Sequence, residues 1–181
     1  MNASPPAAAD YRALAVFLTV ILSQRMAELA HSARNTRALR QIGAVEHGAG
    51  HYPLLVFVHV LFPVAMVFEV LRLGTHPGPL WPLWLALWVA AQLLRYAAVR
   101  TLGPRWSTRI LVLPGAPLVR RGPFRLLRHP NYVAVVVELI AAPLVFGAWR
   151  TALVVSVVNA IALAIRIRTE QRALCNNCLV V

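Results

Sequence analysis

The segment Arg128-His129-Pro130-Asn131-Tyr132 opens directly onto the apolar run Val133 to Phe146. A cationic elbow leading into a stretch of that hydrophobicity places polar chemistry at a membrane surface. The rest of the chain agrees: of 181 residues, 59% are hydrophobic and 13% charged, with a mean hydropathy of +0.65, too apolar for a soluble domain of this size. Other apolar windows fall at 11–30, 53–72 and 80–99, and the elbow is followed by 131–147 and 149–167, parted only by Gly147-Ala148-Trp149-Arg150. About 20 apolar residues cross a bilayer as a helix. Without water in the hydrocarbon, only helices and closed barrels satisfy their own backbone. The expected fold is therefore an all-α integral membrane protein with five transmembrane helices in a single domain over 1–181. The helices are placed at about 11–30, 53–72, 80–99, 131–147 and 149–172, the last two as a tight hairpin. The first window has no basic N-terminal region or small-residue cleavage site and carries Arg25 and Glu28, so it is read as a retained helix.

The net charge of +12 comes entirely from arginine. Arg34, Arg37 and Arg40 follow the first window, seven arginines from Arg100 to Arg128 follow the third, and Arg168 and Arg172 follow the last; Arg12, Arg72 and Arg150 flank the opposite ends. The excess of basic residues in alternate loops predicts an N-terminus outside and a C-terminus in the cytoplasm of a multi-pass protein of the inner (cytoplasmic) membrane. The charge sits at helix ends, so anionic headgroups are the expected counter-charge and nucleic acid is not an expected partner. Trp81, Trp84 and Trp88 read as an interfacial aromatic belt. Cys175 and Cys178 are half of a zinc site, and no metal is expected.

Acidic residues inside apolar helices need a partner or a task. Glu138 lies seven residues after Asn131 on the same helix face, about 10 Å below the helix start, where it can line a cavity reaching the His129 region. On the last helix Asn159, Arg166 and Glu170 form a stripe. Gln24, Glu28, His31 and Asn35 recur at helical spacing on the first helix, followed by Glu46, His51 and His59. Arg25 with Glu28 and Arg166 with Glu170 also have the spacing of structural bridges. His51 or His59 alone is more often an interhelical hydrogen-bonding residue than a catalytic base. Glu69, near the outer end of helix two, has no evident task.

The segment Leu118-Val119-Arg120-Arg121-Gly122-Pro123-Phe124-Arg125-Leu126-Leu127-Arg128-His129-Pro130-Asn131-Tyr132, followed by Arg166-Ile167-Arg168-Thr169-Glu170, resembles the integral-membrane isoprenylcysteine carboxyl methyltransferase family. The resemblance covers about residues 100–174. Glu28, Ser32, Arg34-Asn35, Gly43, Glu46 and His51-Tyr52-Pro53 are similar to a bacterial branch found with type III polyketide synthases and associated with O-methylation of alkylpyrones. The resemblance implies S-adenosylmethionine as cofactor, held by Ala116, Pro117, Leu118, Val119, Phe124, His129, Pro130, Asn131, Tyr132 and Glu170. Arg166 matches the position that engages the acceptor, and Glu28 and Asn35 are assigned to the acceptor side with it.

The chemistry of these residue types is compatible with that role. A sulfonium cofactor needs an anion, hydrogen-bond donors and an aromatic face, which Glu170, His129 and Phe124 or Tyr132 provide. Methyl transfer relies on orientation and desolvation; Arg166 can orient an ionised acceptor, and Glu138, His51 or His59 are base candidates for a less acidic one. Two features depart from the family: Glu170-Gln171 replaces a Glu-Glu pair, and Tyr132-Val133-Ala134 replaces Tyr-x-Gly. The short stretch after Leu174, in place of a long basic and aromatic tail, leads us to expect a lipophilic small-molecule acceptor, of alkylpyrone type, ahead of an isoprenylcysteine-like acid. A small transporter or proton-relay protein would also use Glu69, Glu138 and His59, but would spread its polar residues through the whole bilayer depth. Oligomeric state is not legible.

Overall fold

The computed structural model describes residues 8–177. Helix α1 runs Ala8–Gln41, α2 Tyr52–Leu73, α3 Trp81–Leu102, α4 Pro130–Val145 and α5 Trp149–Asn177. Four of these helices, α1, α2, α3 and α5, are long and apolar enough to cross a membrane. The apolar helix α4 has 16 residues, about 24 Å at 1.5 Å per residue against roughly 30 Å of hydrocarbon. The chain is an all-α membrane protein.

Each helix shows why it sits where it does. On α2, Leu55, Val58, Phe62, Met66 and Val70 recur every three or four residues and are buried, while Val56, Phe57, Val60, Val64 and Phe68 on the other side are exposed. Apolar residues on both faces mean one face for protein and one for lipid. Helix α4 packs between α3 and α5, and α5 also contacts α2. Ala134, Ala141 and Ala142 of α4 are buried, and small side chains let helices approach closely where lipid offers no hydrophobic drive for packing. Helix α1 joins this core through Leu14, Ile21 and Phe17. The Phe17 ring lies 4.8 Å from Trp88 and 5.5 Å from Phe146. Trp88 is thus a core residue, 8% exposed, two turns into α3, and not part of the expected aromatic belt.

Two features differ from expectation. Residues 31–41, expected as loop, continue α1. Nothing between His31 and Gln41 breaks a helix, arginine is a good helix former, and Ser32, Asn35 and Thr36 find polar partners in the loop after α3. The connections also pair: β1 (Val45–His47) and β2 (Ile110–Val112) form an antiparallel ladder with Glu46 opposite Leu111. Three residues per strand are too few for alternation to reveal.

The α4–α5 hairpin turns at Gly147, whose φ is +70°; a Cβ there would lie 2.4 Å from the His76 carbonyl oxygen, so glycine is required both by conformation and by space. Glu69 finds its task beside this turn. Its buried carboxylate accepts the backbone N–H groups of Arg150 (3.1 Å) and Thr151 (2.6 Å) and the Thr151 hydroxyl (2.7 Å). It caps the N-terminus of α5 from another helix, the end where an anion is favoured. Glu69→Ala is expected to lower stability by about 2 kcal/mol, and Glu69→Gln by less because a carbonyl oxygen remains. Unfolding in detergent, followed by far-ultraviolet circular dichroism, measures this.

Candidate functional site

Helix α4 begins where Pro130 forces His129 out of helical geometry: His129 has φ −132° and ψ 67°. Its carbonyl still accepts the N–H groups of Tyr132 and Val133, so the elbow is the hinge between a loop and the first turn of α4. Beside it lies a cavity of about 1050 Å³, bounded by the connection from α3 to α4, the start of α4 and the end of α5. Ala116, Pro117, Leu118, Val119, Phe124, His129, Pro130, Asn131, Tyr132 and Glu170 all stand in its wall, as does Arg166.

Tyr132 is the hub. Its hydroxyl donates to Glu170 Oε2 and accepts from Arg166 Nε at 2.8 Å. The His129 ring stacks on it at 5.2 Å between centroids, with Nδ1 3.8 Å from Glu170 Oε2. His129 Nε2 is buried and has no hydrogen-bond partner among the described residues. The spacing of Arg166 and Glu170 allowed a direct bridge, yet none forms; the tyrosine hydroxyl stands between them.

Arg166 is held from a second side. Its Nη2 donates to the Thr108 carbonyl at 2.8 Å. Thr108 in turn hydrogen-bonds Ser32 through its N–H and hydroxyl, both at 2.9 Å, and its hydroxyl meets Tyr52 at 3.2 Å. Asn35 donates to the carbonyls of Gly103 (3.1 Å) and Trp106 (2.8 Å). The upper part of α1 is therefore the platform for the loop that positions Arg166. Asn35 clamps that loop and does not stand in the cavity wall, where the sequence reading had put it on the acceptor side.

Arg166 is 8% exposed, and no carboxylate lies within ion-pair distance of it among the described residues. Two other arginines contrast with it, Arg95, which is buried, and Arg25, which is partly exposed. Arg95 Nη2 reaches Glu138 at 2.5 Å and its Nη1 reaches Glu28 at 3.5 Å. Arg25 pairs with both carboxylates, at 2.6 Å to Glu28. Gln24 and Gln92 complete this cluster. Two cations thus face two anions at the meeting of α1, α3 and α4.

This cluster changes the expected place of Glu138 and Glu28. Glu138 does not line the cavity beside His129: one side of α4 carries Tyr132 toward the cavity, and Arg25 and Arg95 draw Glu138 inward between helices. Glu28 is engaged in the same cluster and is absent from the cavity wall. His59 uses Nδ1 to donate to the Leu55 carbonyl at 2.8 Å and also stands outside the cavity. His51 lines a separate narrow crevice with Glu46, Tyr52, Arg109 and Arg166. The reading missed Arg95, although a lone cation within the third apolar window is itself a signal that a buried anion must exist.

Outside the membrane spans, Glu46 ties β1 to its surroundings through Arg40 and through Arg109 at 2.6 Å. Partial burial pushes its carboxyl up, but the hydrogen bonds and charges of Arg109 and Arg40 outweigh this and hold it below the usual carboxylate range. Among the described residues no group of three His, Cys, Asp or Glu side chains is placed to hold a metal. Cys178 lies outside the described residues.

The chain is similar along most of its length to two bacterial proteins. It is 37% identical over 159 residues to the uncharacterized protein YpbQ of Bacillus subtilis, covering 88% of this chain and 95% of that one. It is 31% identical over 155 residues to an uncharacterized protein of Haemophilus influenzae, covering 85% and 90%. No solved structure matches it. Residues 84–176, which contain the elbow, Tyr132, Arg166 and Glu170, match the family described as isoprenylcysteine carboxyl methyltransferase. With its membrane helices and a cavity into which both motifs bring polar side chains, the chain belongs to the isoprenylcysteine carboxyl methyltransferase family, a family of membrane methyltransferases.

Proposed function

We propose that this protein transfers a methyl group from S-adenosylmethionine to an oxygen of a lipophilic acceptor in the bilayer, of alkylpyrone type. The observation that carries the reading is the composition of the cavity wall: a carboxylate, Glu170; two stacked rings, His129 and Tyr132; and a buried guanidinium, Arg166, with no carboxylate paired to it among the described residues. The unpartnered Nε2 of His129 supports a ligand with hydrogen-bonding groups there, because buried polar atoms are almost always satisfied. The cavity is also large enough for a nucleoside-sized molecule.

In this reading Glu170 and the rings of Phe124, His129 and Tyr132 hold the cofactor, with Ala116 to Val119, Pro130 and Asn131 framing it. S-adenosylmethionine supplies an electrophilic methyl on a sulfonium. Arg166 supplies the acceptor side, attracting an enolate or carboxylate oxygen and fixing its direction, and the Thr108 and Tyr132 contacts keep the guanidinium from following its ligand. An acidic acceptor arrives ionised, so no strong base is needed. For a weaker acid, His51 in the crevice beside Arg166 is the base the geometry favours over Glu138 and His59. The acceptor tail enters from the lipid and the cofactor from the cytoplasm, in a single domain with its N-terminus outside and its C-terminus in the cytoplasm of the inner membrane. Charge distribution supports this orientation.

An isoprenylcysteine-like carboxylate would be engaged by the same Arg166, so the acceptor is tested directly. Purified protein in lipid nanodiscs is given labelled S-adenosylmethionine with an alkylpyrone or with farnesylcysteine. The proposal predicts labelled product from the alkylpyrone at a rate at least about tenfold above that from farnesylcysteine, the order of discrimination available from shape complementarity. Product from farnesylcysteine alone reverses the acceptor assignment, and product from neither rejects both.

A further inference from the structure

From Val70 to Val137 the chain has no acidic residue. Within that stretch Arg120, Arg121, Arg125 and Arg128 are all exposed, and none forms an ion pair among the described residues. Leu126, set among them, is 90% exposed, the highest exposure of any large hydrophobic residue described. Leu118 and Leu127 are exposed as well. Leucine spread out in water beside four unpaired guanidiniums is a poor arrangement for a soluble loop, and a favourable one at a membrane boundary.

The structure also fixes the depth of this segment. Gly122, with φ +56°, presses on the last turn of α3: a Cβ there would lie 2.5 Å from Thr101 Oγ1. Beside Thr101 on the same helix, Arg100 is exposed, and its guanidinium lies 3.5 Å from the phenol oxygen of Tyr96, exposed one turn deeper. A tyrosine and an arginine together at a helix end mark the headgroup level. The segment is therefore held at the level where α3 leaves the membrane and α4 enters it.

We infer that residues 118–128 are a strap lying in the headgroup layer of one leaflet. Leu126 enters the boundary of the acyl chains, and Arg120, Arg121, Arg125 and Arg128 bind the headgroups of anionic phospholipids. Each basic side chain at an anionic surface strengthens attachment roughly fivefold, so four set a clear preference over zwitterionic lipid. The strap also borders the cavity: Leu118, Val119 and Phe124 stand in its wall, and Arg120, Arg125, Leu126, Leu127 and Arg128 line its mouth beside them, whereas Arg121 does not border it. Lipid bound to the strap thus holds in place the wall that meets the ligand. This coupling rests on the cofactor assignment above; the seating of the strap in lipid does not.

The test uses the full chain in two nanodiscs, one of phosphatidylcholine alone and one containing phosphatidylglycerol. For the first arm, a Leu126→Cys protein, with Cys175→Ser and Cys178→Ser to remove the native thiols, carries an environment-sensitive fluorophore. Its emission is expected to shift to the blue in the phosphatidylglycerol disc and to be quenched by a quencher placed on the acyl chain. A water-like spectrum in both discs overturns the strap. For the second arm, S-adenosylhomocysteine binding is measured calorimetrically. The affinity of the wild type is expected to rise roughly tenfold with phosphatidylglycerol, and Arg121→Gln, at the one strap arginine that does not border the cavity, is expected to reduce that rise while leaving the affinity in phosphatidylcholine unchanged. Equal affinity in the two discs overturns the coupling. Absence of binding in both discs overturns the coupling together with the cofactor assignment, and the fluorophore still decides the strap.

Discussion

Glu138→Ala is expected to destabilise the protein by about 3–5 kcal/mol, the usual loss when one partner of a buried ion pair is removed. The carboxylate of Glu138 touches both Arg25 and Arg95, and Arg95 is 2% exposed. Removing Glu138 leaves Glu28 alone to neutralise two guanidiniums among apolar helices. That asymmetry makes the penalty: Arg95 has nowhere to reach water, whereas Arg25 is partly exposed. Glu138→Gln keeps the shape and loses the charge, so it is expected to be destabilising too, though less so. Unfolding of detergent-solubilised variants reads the effect directly. If Glu138 acted as a base instead, Glu138→Gln would fold with wild-type stability and lose only the reaction.

Glu170→Ala is expected to weaken S-adenosylmethionine binding by roughly 10–100-fold, matching the loss of one charged hydrogen bond. Glu170 accepts from Tyr132 and stands 3.8 Å from His129; its removal takes away the one carboxylate that the described residues give the cavity wall and releases the tyrosine hydroxyl that also holds Arg166. Tyr132→Phe separates the two consequences. It spares the carboxylate and frees Arg166, so its loss is expected to fall on acceptor KM more than on cofactor affinity. Titration calorimetry and steady-state kinetics on the two variants distinguish these effects.

The fold was legible because membrane helices announce themselves by composition, and the hairpin because Gly147 interrupts an otherwise continuous apolar run. The meeting of His129, Tyr132 and Glu170 was legible through the resemblance of their two motifs to the family; helical spacing alone said only that the stripe bearing Glu170 could face the loop bearing His129. What escaped was decided by pairing. Glu138 was placed near the cavity by its position on the helix face, but Arg95, an arginine on another helix, claims it. Asn35 has the residue type and spacing of a binding residue, yet backbone carbonyls of Gly103 and Trp106 consume its amide, and those carbonyls carry no signal in side-chain sequence. Glu69 had no task until the start of α5 came to rest against it. The continuation of α1 to Gln41 was hidden by its arginines, which read as a loop by charge while being good helix formers.

The most direct measurement is equilibrium binding of S-adenosylmethionine to the purified, detergent-solubilised wild type, alongside His129→Ala and Glu170→Ala. A cavity walled by His129, Tyr132 and Glu170 predicts saturable binding by the wild type and clearly weaker binding by both variants. Absence of binding at millimolar cofactor, or variants that bind as tightly as the wild type, would contradict it.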